Sequence, residues 1–319
     1  MRHFLLLWSL FGGVLWNSCQ QTNKQTNKQT NKQTNSDSIV EITNIKDSIT
    51  RYRVEPYNFL HLSIDDVTCI ADITYNKYSS IFENKTFSLL KDLHLKYGVV
   101  ITLYLDYAEQ ALEIPNYYSK DFRENSNWLK IGFQSWNNTI YQYETDREKV
   151  MDQYNQFAEA LFDLTGSTEI IDRVVRGNWF RTNELACLAM RDSKCGIVGI
   201  LGCDDWSYNY ENRVNNHFFN QEESAFLDTH EKYYSNNTKL WCFKTDFRME
   251  QIENRWGNIE NCIKDYNSLN RANESQELIV FTHEREINNS IINDINKLLL
   301  WAVNSGYEFN YPQNTVPHI

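Results

Sequence analysis

Beyond about residue 51 the sequence alternates short apolar runs with longer amphipathic ones, and that alternation restricts the possible folds more than any other feature. The runs Phe59–Ile64, Val99–Leu105, Trp128–Phe133, Val174–Phe180, Gly196–Gly202, Leu240–Thr245 and Leu278–Thr282 read as strands, with Tyr307–Tyr311 closing the set. Helical spacing is predicted between them. Over Ser80–Lys96 it places Phe82, Phe87, Leu90, Leu93 and Leu95 mostly on one side, with Gly98 as the stop. Thr145 and Glu148 form a capping box before Val150, Tyr154, Phe157, Leu161 and Leu164, and that helix ends at Gly166. Asn183–Asp192, Ile252–Tyr266 and Ile287–Asn304 complete the helices. Strands separated by helices are parallel strands with crossovers, so the expected fold is α/β, a (β/α)7-8 barrel, distorted or incomplete. A chain of 319 residues holds one such barrel, for which roughly 250 residues is typical.

The N-terminal region follows different physics. Met1-Arg2-His3 precedes an apolar run, Phe4 to Trp16, shorter than the ~20 residues that cross a bilayer. It reads as a secretory signal, and Ser18-Cys19 at its end is similar to a bacterial lipobox, with Leu15 displaced from the usual position. That resemblance implies a lipidated Cys19 holding the protein on a membrane of the cell envelope. From Gln20 the chain repeats Gln-Thr-Asn-Lys with nothing to bury. The expected division is a signal over 1–19, a disordered tether over 20–50 and a barrel over 51–319, with an Asn-rich aromatic insertion at 207–237.

Several function classes drop out. The net charge of −11 is spread along the chain without a Lys/Arg block, so nucleic acid is not an expected partner. Eleven glycines, none in a phosphate-cradling motif, argue against nucleotides, and neither a Gly-x-Ser-x-Gly elbow nor a Cys-x-x-Cys pair occurs. The cysteines beyond Cys19 predict no particular disulfide pairing.

In such barrels functional groups gather at the carboxyl ends of the strands. Those ends carry Asp65 and Asp66, Asp106, Gln134 and Ser135, Arg176 with Trp179, Asp204, Asp205 and Trp206, and His283 with Glu284. An apolar strand ending on two adjacent carboxylates is costly unless a cation, a metal or hydrogen bonds compensate.

This ordered set resembles the polysaccharide deacetylase family, zinc-dependent carbohydrate esterases on an incomplete (β/α) barrel. Ser63-Ile64-Asp65-Asp66 is similar to the family's first motif, which implies Asp65 as general base and Asp66 as metal ligand. Arg176-Gly177-Asn178-Trp179 resembles the motif whose Arg orients the base and whose aromatic walls the cleft. Asp205-Trp206 matches the end of the next motif, and Val280-Phe281-Thr282-His283 the last, implying His283 as the acid. The second motif departs. Where the family has His-Ser-x-x-His, this chain has Gln134-Ser135-Trp136-Asn137-Asn138. Both metal-binding imidazoles are amides, and amide oxygens are poor donors for zinc.

The resemblance therefore implies a polysaccharide or oligosaccharide ligand, with Trp136, Trp179, Asp205 and Trp206 as binding residues. Zinc is not expected on Asp66, Gln134 and Asn138; an all-oxygen set suits Ca²⁺ or Mg²⁺ better. The favoured reading is an envelope lipoprotein that binds or processes glycans with zinc-dependent deacetylation lost or altered. Two alternatives stay open. One is an active deacetylase with substitute ligands such as His217 or His230, and the other a scaffold whose insertion binds a protein. His61 is expected to pack in the core.

Overall fold

The computed structural model describes residues 42–46, 49–52, 58–204, 223, 226–227, 230–268 and 277–317. Its strands are β1 (Ile42–Lys46), β2 (Ile49–Tyr52), β3 (Phe59–Asp65), β4 (Ile101–Leu105), β5 (Leu129–Phe133), β6 (Val174–Val175), β7 (Gly199–Asp204), β8 (Lys232–Ser235), β9 (Leu240–Thr245), β10 (Phe247–Arg248), β11 (Glu277–His283) and β12 (Glu308–Phe309). Two sheets carry them, β1-β2-β8-β9-β7-β6 and β10-β11-β3-β4-β5, with β12 paired to β3 off the second path. On one side the sheets meet at a parallel bridge between Ile131 and Ile171 and a bond from Arg176 N to Phe133 O. On the other they share one strand: β9 runs into β10 through Asp246, whose backbone N–H donates to Ile279 O and whose carboxylate accepts from Ile279 N. The parallel strands β3-β4-β5-β6-β7-β9/β10-β11 thus return to β3. The ring has long ladders along β11, β3, β4 and β5 and short ones at its seams, the distorted (β/α) barrel that the alternation predicts.

Residues on the two faces of β3 separate cleanly. Leu60, Leu62 and Ile64 join the main core under the helices, whereas Phe59, His61, Ser63 and Asp65 alternate with them on the inner face. Inside the ring Phe59 packs with Tyr104, Val174, Leu201, Trp241, Phe243 and Ile279. Tyr104 crosses from β4 to donate its hydroxyl to Val174 O at 2.8 Å. Its ring lies over Gly132, where any Cβ would collide with it. His61 is fully buried with its ring 5.7 Å from that of Tyr311, and burial together with the charge of Arg176 lowers its pKa to about 3.

The helices close on local chemistry, with several corrections to the sequence reading. α1 (Cys69–Tyr75) follows β3, and α2 (Lys85–Tyr97) is capped by Asn84 and stopped by Gly98 at φ 77°. Leu95 faces solvent because it lies off the stripe of Phe87, Leu90 and Leu93. α3 (Ser119–Asn125) precedes β5. α4 (Arg147–Thr165) is capped by Asp146, not Thr145: the Asp146 carboxylate accepts from Lys149 N, three residues on, at 3.1 Å. α5 (Glu184–Arg191) is capped by Asn183. The run over 252–266 divides into α6 (Ile252–Trp256) and α7 (Ile259–Ser268) because Gly257 takes a left-handed conformation. α8 (Asn289–Asn304) is the last.

Strand four is also shorter than the sequence suggests, since Asn178–Phe180 turns into a 3-10 helix. Two expected boundaries move. Residues 42–46, assigned to the tether, form β1, their β-branched residues favouring extended backbone; Lys232–Ser235, within the insertion, forms β8 against β9. The signal segment, Cys19 and the Gln-Thr-Asn-Lys repeat lie outside the described residues.

Candidate functional site

A cleft of about 310 Å³ opens at the carboxyl ends of the strands, and Asp65, Asp66, Gln134, Asn138, Arg176, Trp179 and His283 all line it. Residues up to 218 positions apart in sequence therefore meet at one depression. Asp205 and Trp206 lie outside the described residues. Trp136 does not line the cleft: its indole packs against the main core, where its apolar area is best buried. His230 is no substitute ligand either, because its ring stacks on Phe226 away from the cleft lining; His217 is outside the described residues.

The floor is an ion pair. Arg176, 1% exposed, places Nε 3.2 Å from Asp65 Oδ2, an ionic contact whose angle falls short of a hydrogen bond. The guanidinium donates to Ser63 Oγ at 3.3 Å and lies over the rings of Phe281, Phe180 and Tyr104, at 4.3, 4.9 and 5.4 Å. Burial raises the Asp65 carboxyl to about 6, held back by Arg176 and His283. Asp65 Oδ1 has no hydrogen-bond partner among the described residues.

Asp66, beside it, is engaged on both oxygens. Its Oδ1 accepts from Gln134 Nε2 at 2.9 Å, and its backbone N–H points at Gln134 Oε1 at 3.4 Å. Arg285 Nη1 donates to Oδ2, and His283 Nε2 stands 3.8 Å from the same oxygen. Asn138 is tied in turn, its Oδ1 accepting from Asn178 Nδ2 at 2.6 Å.

Two carboxylates complete the site without having been assigned roles from sequence. Glu250, in the turn after β10, binds His283 Nδ1 and accepts from Thr282 Oγ1 at 3.0 Å. Burial alone would pull the His283 pKa down, but the Glu250 hydrogen bond and the charges of Asp65, Glu250 and Asp66 outweigh it and the net shift is upward. Asp106, at the end of β4, lines the cleft without a side-chain partner among the described residues, and burial and Asp66 raise its carboxyl to about 6. Neither could be found from a motif: Glu250 follows a two-residue strand, and Asp106 is one strand-end acid among many.

Backbone strain concentrates here as well. Of the five described non-glycine residues with positive φ, four line the cleft: Asp66, Asn138, Trp179 and Phe180, at 51°, 57°, 57° and 54°. Such conformations persist where the surrounding structure enforces them, typically at functional sites. Trp179 is thereby left 58% exposed. The loop after β5 carries a second exposed ring, Tyr143, and is stitched to the loop after β6: Asn183 Nδ2 donates to Gln142 O at 3.2 Å and Glu144 O at 2.7 Å, the carbonyls flanking Tyr143.

The donor set does not fit zinc. Asp66 already accepts from an amide and a guanidinium on its two oxygens, and the imidazole positions hold amides, one of them bonded elsewhere. Among the described residues no group of three His, Cys, Asp or Glu side chains is placed to hold a metal.

No protein-family model and no curated protein matches the sequence. Solved structures similar to it include a peptidoglycan N-acetylglucosamine deacetylase catalytic domain from Eubacterium rectale, 14% identical, covering 83% of this chain and 93% of that one with a TM-score of 0.41. An acetyl xylan esterase from Clostridium thermocellum is 12% identical, over 79% and 87%, with a TM-score of 0.41. A chitin deacetylase from Colletotrichum lindemuthianum is 14% identical, over 81% and 91%, with a TM-score of 0.40. The likeness to these three is partial, and what the cleft does follows from its own residues.

Proposed function

We propose that the cleft binds a glycan and does not carry out zinc-dependent deacetylation. One observation carries this reading: donors and acceptors with unused hydrogen-bonding capacity stand together in the cleft. His283 Nε2 and Arg285 Nη2 are donors lacking a hydrogen-bond partner among the described residues, and the Asp106 carboxylate is an acceptor lacking a side-chain partner. A hydroxyl both donates and accepts, so a polyhydroxylated ligand satisfies such a mixture better than an anion or a cation does. Trp179, exposed at the rim, supplies a flat apolar face of the kind that covers a sugar ring. With Asp66 occupied by Gln134 and Arg285, the water-activating role the family resemblance assigns to a metal has no ligand set behind it.

The test is binding of acetylated chito- and xylo-oligosaccharides to the purified protein, followed by calorimetry and by acetate release. Binding without acetate release is expected, weakened about tenfold or more by Trp179→Ala, as for other exposed aromatic anchors. Acetate release that requires zinc overturns the reading.

A second reading has one observation in its favour, the Glu250–His283 pair beside Asp65, an arrangement able to hold and deliver a proton. Acetate release that persists in chelator and is lost in His283→Ala would select it.

A further inference from the structure

We propose that Arg285 is the resident cation of this site, a guanidinium standing on Asp66 where a divalent ion would otherwise bind, and that it closes the cleft to metals. The placement is built into the fold. Glu284 fixes the turn after β11: its carboxylate accepts from Thr68 N and Thr86 Oγ1 at 2.5 Å, and from Thr68 Oγ1 and Cys69 N at 3.0 Å. The 3-10 turn Glu284–Glu286 is thereby held against the start of α1, and Arg285, next in the chain, reaches Asp66, the residue that follows β3. Nη1 donates to Asp66 Oδ2, and Nε stands 3.4 Å from Glu286 Oε1.

The other face of the same carboxylate is covered by Gln134. Its Nε2 donates to Oδ1, so an amide at a position where the family resemblance calls for imidazole acts here as a hydrogen-bond donor to the carboxylate. Asp66 thus sees N–H groups on both oxygens. A guanidinium keeps its charge at every pH the protein meets and has five donors in a fixed fork, of which Asp66 takes one. A divalent ion approaching Asp66 meets a like charge and a carboxylate that already accepts an N–H on each oxygen. A ligand oxygen entering the cleft meets the remaining N–H groups of Arg285.

The proposal concerns the cation and not the ligand, so its test is independent of glycan binding. Zinc is titrated calorimetrically into wild type, Arg285→Met, Gln134→His with Asn138→His, and the triple variant combining all three changes, each checked for folding by circular dichroism. Wild type and Arg285→Met are expected to bind no zinc, since neither has three ligands. The double variant supplies the missing imidazoles but keeps Arg285, and the triple variant is expected to bind zinc at least about tenfold more tightly than it. As a second variant, Arg285→Lys on the double background keeps the charge and is expected to leave zinc affinity within about threefold of the double variant. Equal zinc affinity in the double and triple variants overturns the proposal. So does tight zinc binding by wild type, or a gain with Lys as large as that with Met.

Discussion

Asp65, Asp66, Arg176 and His283 were legible because each ends a strand, and a barrel brings strand ends to one mouth whatever lies between them. Glu250 and Arg285 were not, because each sits in a short turn without periodicity, and their partners are 33 and 219 residues away. Glu250 nevertheless governs His283. Its removal leaves burial unopposed by the nearest counter-charge, so in Glu250→Gln the His283 pKa, followed by NMR titration of the ring, is expected to fall from above the usual histidine value toward or below it. An unchanged titration would show that Asp65 and Asp66 alone hold the charge. Asp106 gives a stability effect of opposite sign to a salt-bridged acid. Its folded carboxyl titrates at about 6, above an ordinary Asp, so from about pH 4 to about 6 the folded state holds the extra proton and stability falls as pH rises. Asp106→Asn removes that penalty and is expected to stabilise by about 1 kcal/mol at neutral pH after allowance for solvent screening, and by nothing near pH 4. Denaturant melts at the two pH values check it.

At the scale of elements, six of the seven apolar runs fall within a few residues of a strand because such runs have no other use in an α/β fold, whereas β1, β2, β8 and β10 are not legible as strands and the turns that shape the cleft carry no such signal. The Val174–Phe180 run looked like one strand, yet after two paired residues it bends through Trp179 and Phe180 in left-handed conformations. Trp136 read as a cleft aromatic from its place in the motif, and only the loop's path reveals that it faces the core. Asn183 stitches the loops after β5 and β6 on either side of the exposed Tyr143, a tie that no periodicity announces. The cap of α4 offers a control remote from the cleft: Asp146→Ala is expected to cost about 1 kcal/mol of stability with ligand binding intact.

For the whole molecule, the ring of strands supplies rigidity on which a strained mouth can be held, and the sequence that precedes it proposes an attachment. Cys19 as a lipidated residue predicts that the protein fractionates with membranes and that Cys19→Ser moves it to the soluble fraction. An unchanged distribution in that variant would remove the anchor from the account. The central claim, however, is that this barrel recognises a sugar without a metal. Calorimetric titration of an acetylated chito-oligosaccharide into chelator-treated protein, repeated after zinc is added back, tests it most directly. The account predicts the same affinity in both and no acetate in either; binding or acetate release that appears only with zinc would contradict it.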